Sequence, residues 1–129
     1  ITDAVNEILS ITVNAFSRDD NEAAKAIEPL EEVIDDMVMI LRDRHTKRLK
    51  ADNCSVSSGL VFMEVLTYME RASDQCSSIA VMMLAREDDA IMLNHHDYLH
   101  EVHMGTDKNY RTERNRRREQ YIEPLMAIQ

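Results

Sequence analysis

Only two glycines and two prolines interrupt 129 residues, which leaves too few breakers for a chain of hairpins. A fold of short strands needs a turn about every eight to twelve residues. Here, instead, apolar side chains recur at alternating steps of three and four, the repeat of a helix that buries one stripe. The chain therefore reads as all-α, an antiparallel three-helix bundle with additional C-terminal helices. A first helix over about 2–16 places Val5, Ile8, Thr12 and Ala15 on its buried stripe. The cluster Ser17-Arg18-Asp19-Asp20-Asn21 ends it and caps the next. A second helix over about 21–51 carries Ile27, Leu30, Ile34, Met37 and Leu41, with a kink expected at Pro29. A third, about 57–87, carries Phe62, Leu66, Met69, Ser73, Cys76, Ala80 and Met83 and ends near Asp88-Asp89. Beyond it the pattern predicts a short helix from Ile91 to Met104, a break at Gly105-Thr106, and a charged helix from Asp107 to Tyr121. Apolar positions such as Val61, Val65 and Val81 are expected to lie poorly covered by three helices, which favours pairing of two copies.

The same helices carry a repeated acidic pattern. Glu31 and Asp35 are four apart on the second helix, and Glu70 and Asp74 are four apart on the third. Residues at that spacing share a helix face, where two carboxylates repel unless a cation lies between them. Each acid directly follows a residue of the buried stripe: Leu30, Ile34, Met69 and Ser73. The competing explanation is a set of ordinary ion pairs, with Arg71, Arg42 and Lys25 as partners.

Charge and composition exclude several functions. Fifteen basic against twenty-four acidic residues give a net charge of −9, which opposes nucleic acid and direct binding to anionic lipid. Cys54 and Cys76 form neither a disulfide framework nor a zinc motif and read as reduced thiols. There is no signal peptide and no run of eighteen apolar residues. The chain starts at Ile1 and so reads as a piece of something longer. No nucleophile–base set and no glycine-rich phosphate loop has a recognisable signature, so catalysis is not the expected role.

Leu30-Glu31-Glu32-Val33-Ile34-Asp35 and Glu70-Arg71-Ala72-Ser73-Asp74 resemble the paired acidic signatures of PhoU, the helical regulator of bacterial phosphate uptake. The stretch from Cys54 to Leu84 is more specifically similar to the PhoU-type domain that follows the membrane part of sodium/phosphate cotransporters. His45-Thr46-Lys47-Arg48-Leu49 and Asp97-Tyr98-Leu99-His100-Glu101 fit the same subfamily. One departure is Gln75, where the family usually has His after the aspartate of the second signature.

The resemblance implies residues 1–89 as a PhoU-like three-helix bundle and 90–129 as a helical extension packed on it, a single domain overall. It implies that Glu31, Asp35, Glu70 and Asp74 hold a divalent or transition metal: iron, zinc or magnesium. Carboxylate oxygens suit hard cations, and two such pairs on adjacent helices can present four ligands. It further implies a cytoplasmic regulatory domain at the membrane, partnered by the membrane domain of the same transporter and by a second copy of itself. The alternative is a structural dimerisation bundle without metal or ligand.

A rival metal site lies in the tail. His96 and His100 are four apart and His103 follows three later, so the three can share one helix face, with His95 just off it. The plainer explanation is an amphipathic helix in which Tyr98, Leu99 and Val102 pack and the histidines face water. Arg111, Arg114, Arg116, Arg117 and Arg118, interrupted by Glu113 and Glu119, read as a solvated helix face. His45 with Arg44, Lys47 and Arg48 reads as a basic last turn that complements the helix dipole.

Overall fold

The computed structural model describes residues 1–88, 91–92, 94–104 and 107–128, and among these every regular element is helical. Helix α1 (Thr2–Arg18) ends where Asp19 turns left-handed, at φ 52°. Asp tolerates that region because its side chain is short and polar. The Asp20 N–H then reaches back to the Ala15 carbonyl at 2.9 Å and closes the last turn. Asp20 also caps the one-turn helix α2 (Asn21–Ala24), its carboxylate accepting from the Ala23 N–H at 3.1 Å.

Helix α3 (Ile27–Lys50) begins only after a break at Lys25-Ala26. The single helix expected over 21–51 is thus two, and Pro29 is the physical reason. Proline has no N–H for the Lys25 carbonyl, and its ring would crowd that oxygen in a continuous helix. Placed in the first turn of α3, the missing donor costs nothing. Helix α4 (Val56–Ala85) is capped by Ser55, whose hydroxyl accepts from the Ser58 N–H at 3.2 Å.

The tail comprises α5 (His95–His103), α6 (Lys108–Arg117), a π-helical turn (Arg118–Ile122) and α7 (Glu123–Ala127). Pro124 cannot return an N–H to Gln120, and the wide turn immediately precedes it. The expected end at Asp88-Asp89 falls partly, and the break at Gly105-Thr106 wholly, outside the described residues.

Side-chain pairings fix the helix directions. Glu28 meets Ser77, Arg42 meets Glu70 and His45 meets Phe62, so α3 and α4 run antiparallel. Asp19 meets Arg86, which brings the ends of α1 and α4 together. Glu32 meets Arg114, and Asp36 meets Arg118, so the tail runs parallel to α3. Arg117 and Tyr121 both reach Glu7, tying the same tail to α1. The tail thus forms a fourth lane against α3 and α1. Its arginines form only in part the solvated face that their spacing suggested: Arg111 and Arg116 are exposed, whereas Arg114, Arg117 and Arg118 pair with acids of other helices.

The core is the meeting of the expected stripes. Ile8, Ile27, Leu30, Val33, Ile34, Val38 and Leu66 are fully buried, each contributing roughly 1.5–3 kcal/mol. Val61 and Val65 are exposed as expected, whereas Val81 is buried. Val81 lines a cavity of about 890 Å³ together with Tyr98 and Leu99 of α5, so the tail shelters it. His45 also departs from expectation. It is buried, its ring 5.1 Å from that of Phe62, in space left by Gly59 on α4.

Candidate metal centre

The segment Leu30 to Asp36 carries two interleaved acidic pairs, and the core sorts them. Leu30, Val33 and Ile34 are buried and fix the rotation of α3. Glu31 and Asp35 then fall on one side of that stripe, toward α4, and Glu32 and Asp36 on the other, toward the tail. The second pair is consumed by the tail. Glu32 accepts from the Tyr110 hydroxyl and pairs with Arg114 at 3.5 Å, and Asp36 pairs with Arg118. Burial, then the Glu32 carboxylate, raises the Tyr110 phenol above its ordinary range.

The first pair meets α4 without a cation. Ligand-capable oxygens of Glu31, Asp35 and Asp74 lie within 4.8 Å of one another. Glu31 is only 6% exposed. Its carboxyl is raised far above the usual range, by burial first and then by the charges of Glu28, Asp35 and Asp74. Asp35 is pushed up to about 6, again by burial first, then by Asp74 and Glu70. One Asp35 carboxylate oxygen, Oδ1, is buried with no hydrogen-bond partner. Such a cluster holds a proton or takes a cation, because like charges this close cannot all ionise unaided.

Of the four acids singled out from the sequence, three come together and one is diverted. Glu70 forms an ion pair with Arg42 at 2.8 Å, and Arg42 also donates to Thr67 at 3.3 Å. Glu70 still acts electrostatically on Asp35 but is not among the grouped oxygens. Lys25, another suggested partner, pairs with Glu22 at 2.9 Å instead. Gln75 is exposed.

A second group shares Glu31. Ligand atoms of Glu28, Glu31 and His103 also lie within 4.8 Å of one another. His103 Nε2 is 2.5 Å from Glu28 Oε1, and the Ser77 hydroxyl donates to the other oxygen of Glu28. The three tail histidines singled out as a rival site are therefore divided. His103 faces the acids, His100 is exposed and belongs to neither group, and the side chain of His96 lies outside the described residues. Sequence reasoning missed Glu28, although its spacing of three from Glu31 on one helix face was available as a signal.

Residues 1–83 match the family model described as the PhoU domain. The chain belongs to the PhoU domain family. The match contains α1 to α3, nearly all of α4 and both acidic signatures, and ends before the tail. No curated protein and no solved structure gave a significant match. Membership points to a regulatory role related to phosphate transport, in a family that regulates rather than catalyses. Among the described residues, no helix is long and apolar enough to cross a membrane.

Proposed function

We propose that this PhoU domain is the cytoplasmic regulatory domain of a sodium/phosphate cotransporter, and that a divalent cation at Glu31, Asp35 and Asp74 is its input. One observation carries the metal part. A carboxyl group that is almost fully buried sits on the first acidic signature against an acid of the second, and the groups acting most strongly on it, after burial itself, are carboxylates. A cation there would relieve the repulsion and fix α3 against α4. Any transporter surface packed on those helices would then be biased by differential binding. Iron, zinc and magnesium are the ions to try, since oxygen ligands accept all three. The transporter part rests on the similarity of Cys54 to Leu84 to the domain that follows the membrane part of such cotransporters. The partner in this reading is the membrane domain of the same transporter.

Melting of the metal-stripped protein with each ion tests the input. A ligand bound only by the native state stabilises it by about 2.7 kcal/mol at a hundredfold excess over Kd. We expect a rise in Tm for the wild type that disappears when Asp35→Ala and Asp74→Ala are combined. Equal Tm with and without every ion would reject the metal input. Sodium-driven phosphate uptake by the intact transporter carrying the same pair tests the regulatory output, at matched expression under rich and poor phosphate.

A structural dimerisation bundle is the second reading, and a specific feature favours it. Val61, Val65, Tyr68, Ala72, Gln75, Ile79 and Met82 follow one another at steps of four and three along α4, and all but Ala72 are exposed. That is the spacing of a helix seam about 30 Å long. In this reading a second copy covers α4, and the acids serve solubility.

A further inference from the structure

We propose that Glu28, Glu31 and His103 form a second cation position, one that selects a transition-metal ion such as Zn²⁺ and fastens the tail helix α5 to α3. It rests on the reading of the neighbouring acids as a metal site, and goes beyond it in ligand set, metal class and consequence. Three features of the structure support it.

The donor set is mixed rather than merely acidic. An imidazole with two carboxylates favours zinc or ferrous iron over magnesium or calcium, because imidazole suits borderline ions and hard ions prefer oxygen. The ligand atoms already lie within 4.8 Å of one another. Tetrahedral zinc with bonds near 2.1 Å sets them about 3.4 Å apart, so His103 Nε2 and Glu28 Oε1 would part from 2.5 Å, a small adjustment for side chains on two helices.

The cleft contains a buried carboxyl group set among other acids. Glu31 is more than nine-tenths buried, and the groups acting most strongly on it, after burial itself, are carboxylates. It belongs to both groups at once, so one of its oxygens can serve each position and bridge two ions. Glu28 is also buried and is held from behind by the Ser77 hydroxyl, the kind of outer hydrogen bond that orients a metal-bound carboxylate.

The position joins segments far apart in the chain. Glu28 and His103 are separated by 75 residues, and His103 closes α5, which precedes the arginine-clamped lane. Among the described residues, His103 is the one residue of α5 that enters the groups. Metal there would therefore hold α5 in place, whereas metal at Glu31, Asp35 and Asp74 would tie only α3 to α4. The two positions give different readouts.

Zinc stoichiometry of the full, metal-stripped chain decides the matter, measured by equilibrium dialysis beside calorimetric titration. We expect two Zn²⁺ per wild-type chain, one for His103→Ala, one for Asp74→Ala and two for His100→Ala. Mg²⁺ should bind equally to the wild type and to His103→Ala. Imidazole resonances of the wild type give an independent measure, with His103 shifting on zinc addition, and limited proteolysis of α5 should slow at least tenfold. Loss of the second ion in His103→Ala but not in His100→Ala supports the proposal. One ion in both the wild type and His103→Ala would overturn it while leaving the Glu31, Asp35 and Asp74 site standing, and would reduce His103 to an ion-pair partner of Glu28. Loss of the second ion from His100→Ala would overturn it in favour of a surface histidine site. No zinc in any form would overturn this position, and only the further absence of Mg²⁺ and Fe²⁺ binding would overturn the metal reading on which it rests.

Discussion

Replacing Glu31 by Gln should make the metal-stripped protein more stable at neutral pH, an unusual outcome for a buried acid. Glu31 is almost fully enclosed, and its neighbours Glu28, Asp35 and Asp74 carry the same charge. Its folded-state carboxyl is therefore held protonated well above the ordinary value of 4.5. A raised folded pKa means the native state binds more protons than the unfolded chain between the two values. Stability from this group is full below 4.5 and is lost as pH rises. At pH 7 the cost is capped by the distance from 4.5 to 7, about 1.36 kcal/mol per unit, giving a ceiling of about 3 kcal/mol. Water entry and side-chain relaxation reduce this to roughly 1–2 kcal/mol. Gln keeps the shape and the donor of the protonated acid but has no proton to take up. Urea unfolding in chelator at pH 5 and pH 7.5 reads the difference. Glu31→Gln should gain about 1–2 kcal/mol over the wild type at pH 7.5, and much less at pH 5. A loss of stability at both values, or a gain that does not change with pH, would refute the argument from buried like charges.

Arg117→Ala should cost about 1–3 kcal/mol in chemical unfolding, since the guanidinium is buried and its loss removes the cation shared by Glu7 and Glu113, which keep Tyr121 and Gln120, and Arg116, respectively. Arg118→Ala should cost less than about 1 kcal/mol, because both it and Asp36 are well exposed. Gly59→Ala should lower Tm despite the better helix propensity of Ala. Its Cβ would lie 2.7 Å from His45 Nε2 in a buried contact, overpacking worth about 1–3 kcal/mol, and His45→Ala should relieve part of the loss. Val65→Glu should leave the fold intact and abolish any dimer, which sedimentation of the two forms at high concentration would show.

The helices and their buried faces were legible in the sequence. Val5, Ile8, Thr12 and Ala15 on α1 are buried as their spacing predicts, as are Ile27, Leu30, Ile34 and Met37 on α3. This follows from physics local to one helix, where a repeat of 3.6 residues sets the inward side without reference to any other segment. The same local rule placed Glu31, Asp35, Glu70 and Asp74 beside the core. It also misjudged 21–51, because the effect of Pro29 falls on Lys25, four residues earlier, and appears as a break before α3 rather than a kink within it.

What the tertiary structure decided was which charged groups meet. Glu70 left the acidic cluster because α4 sets it beside Arg42, and Glu28 entered because α5 returns His103 to it. Glu32 and Asp36 share their spacing with Arg114 and Arg118, yet only packing sets the offset of 82 residues that matches them. Spacing along a chain fixes the face that a side chain occupies. The register and rotation of one helix against another depend on the whole core, so the composition of the site follows from how the stripes pack together.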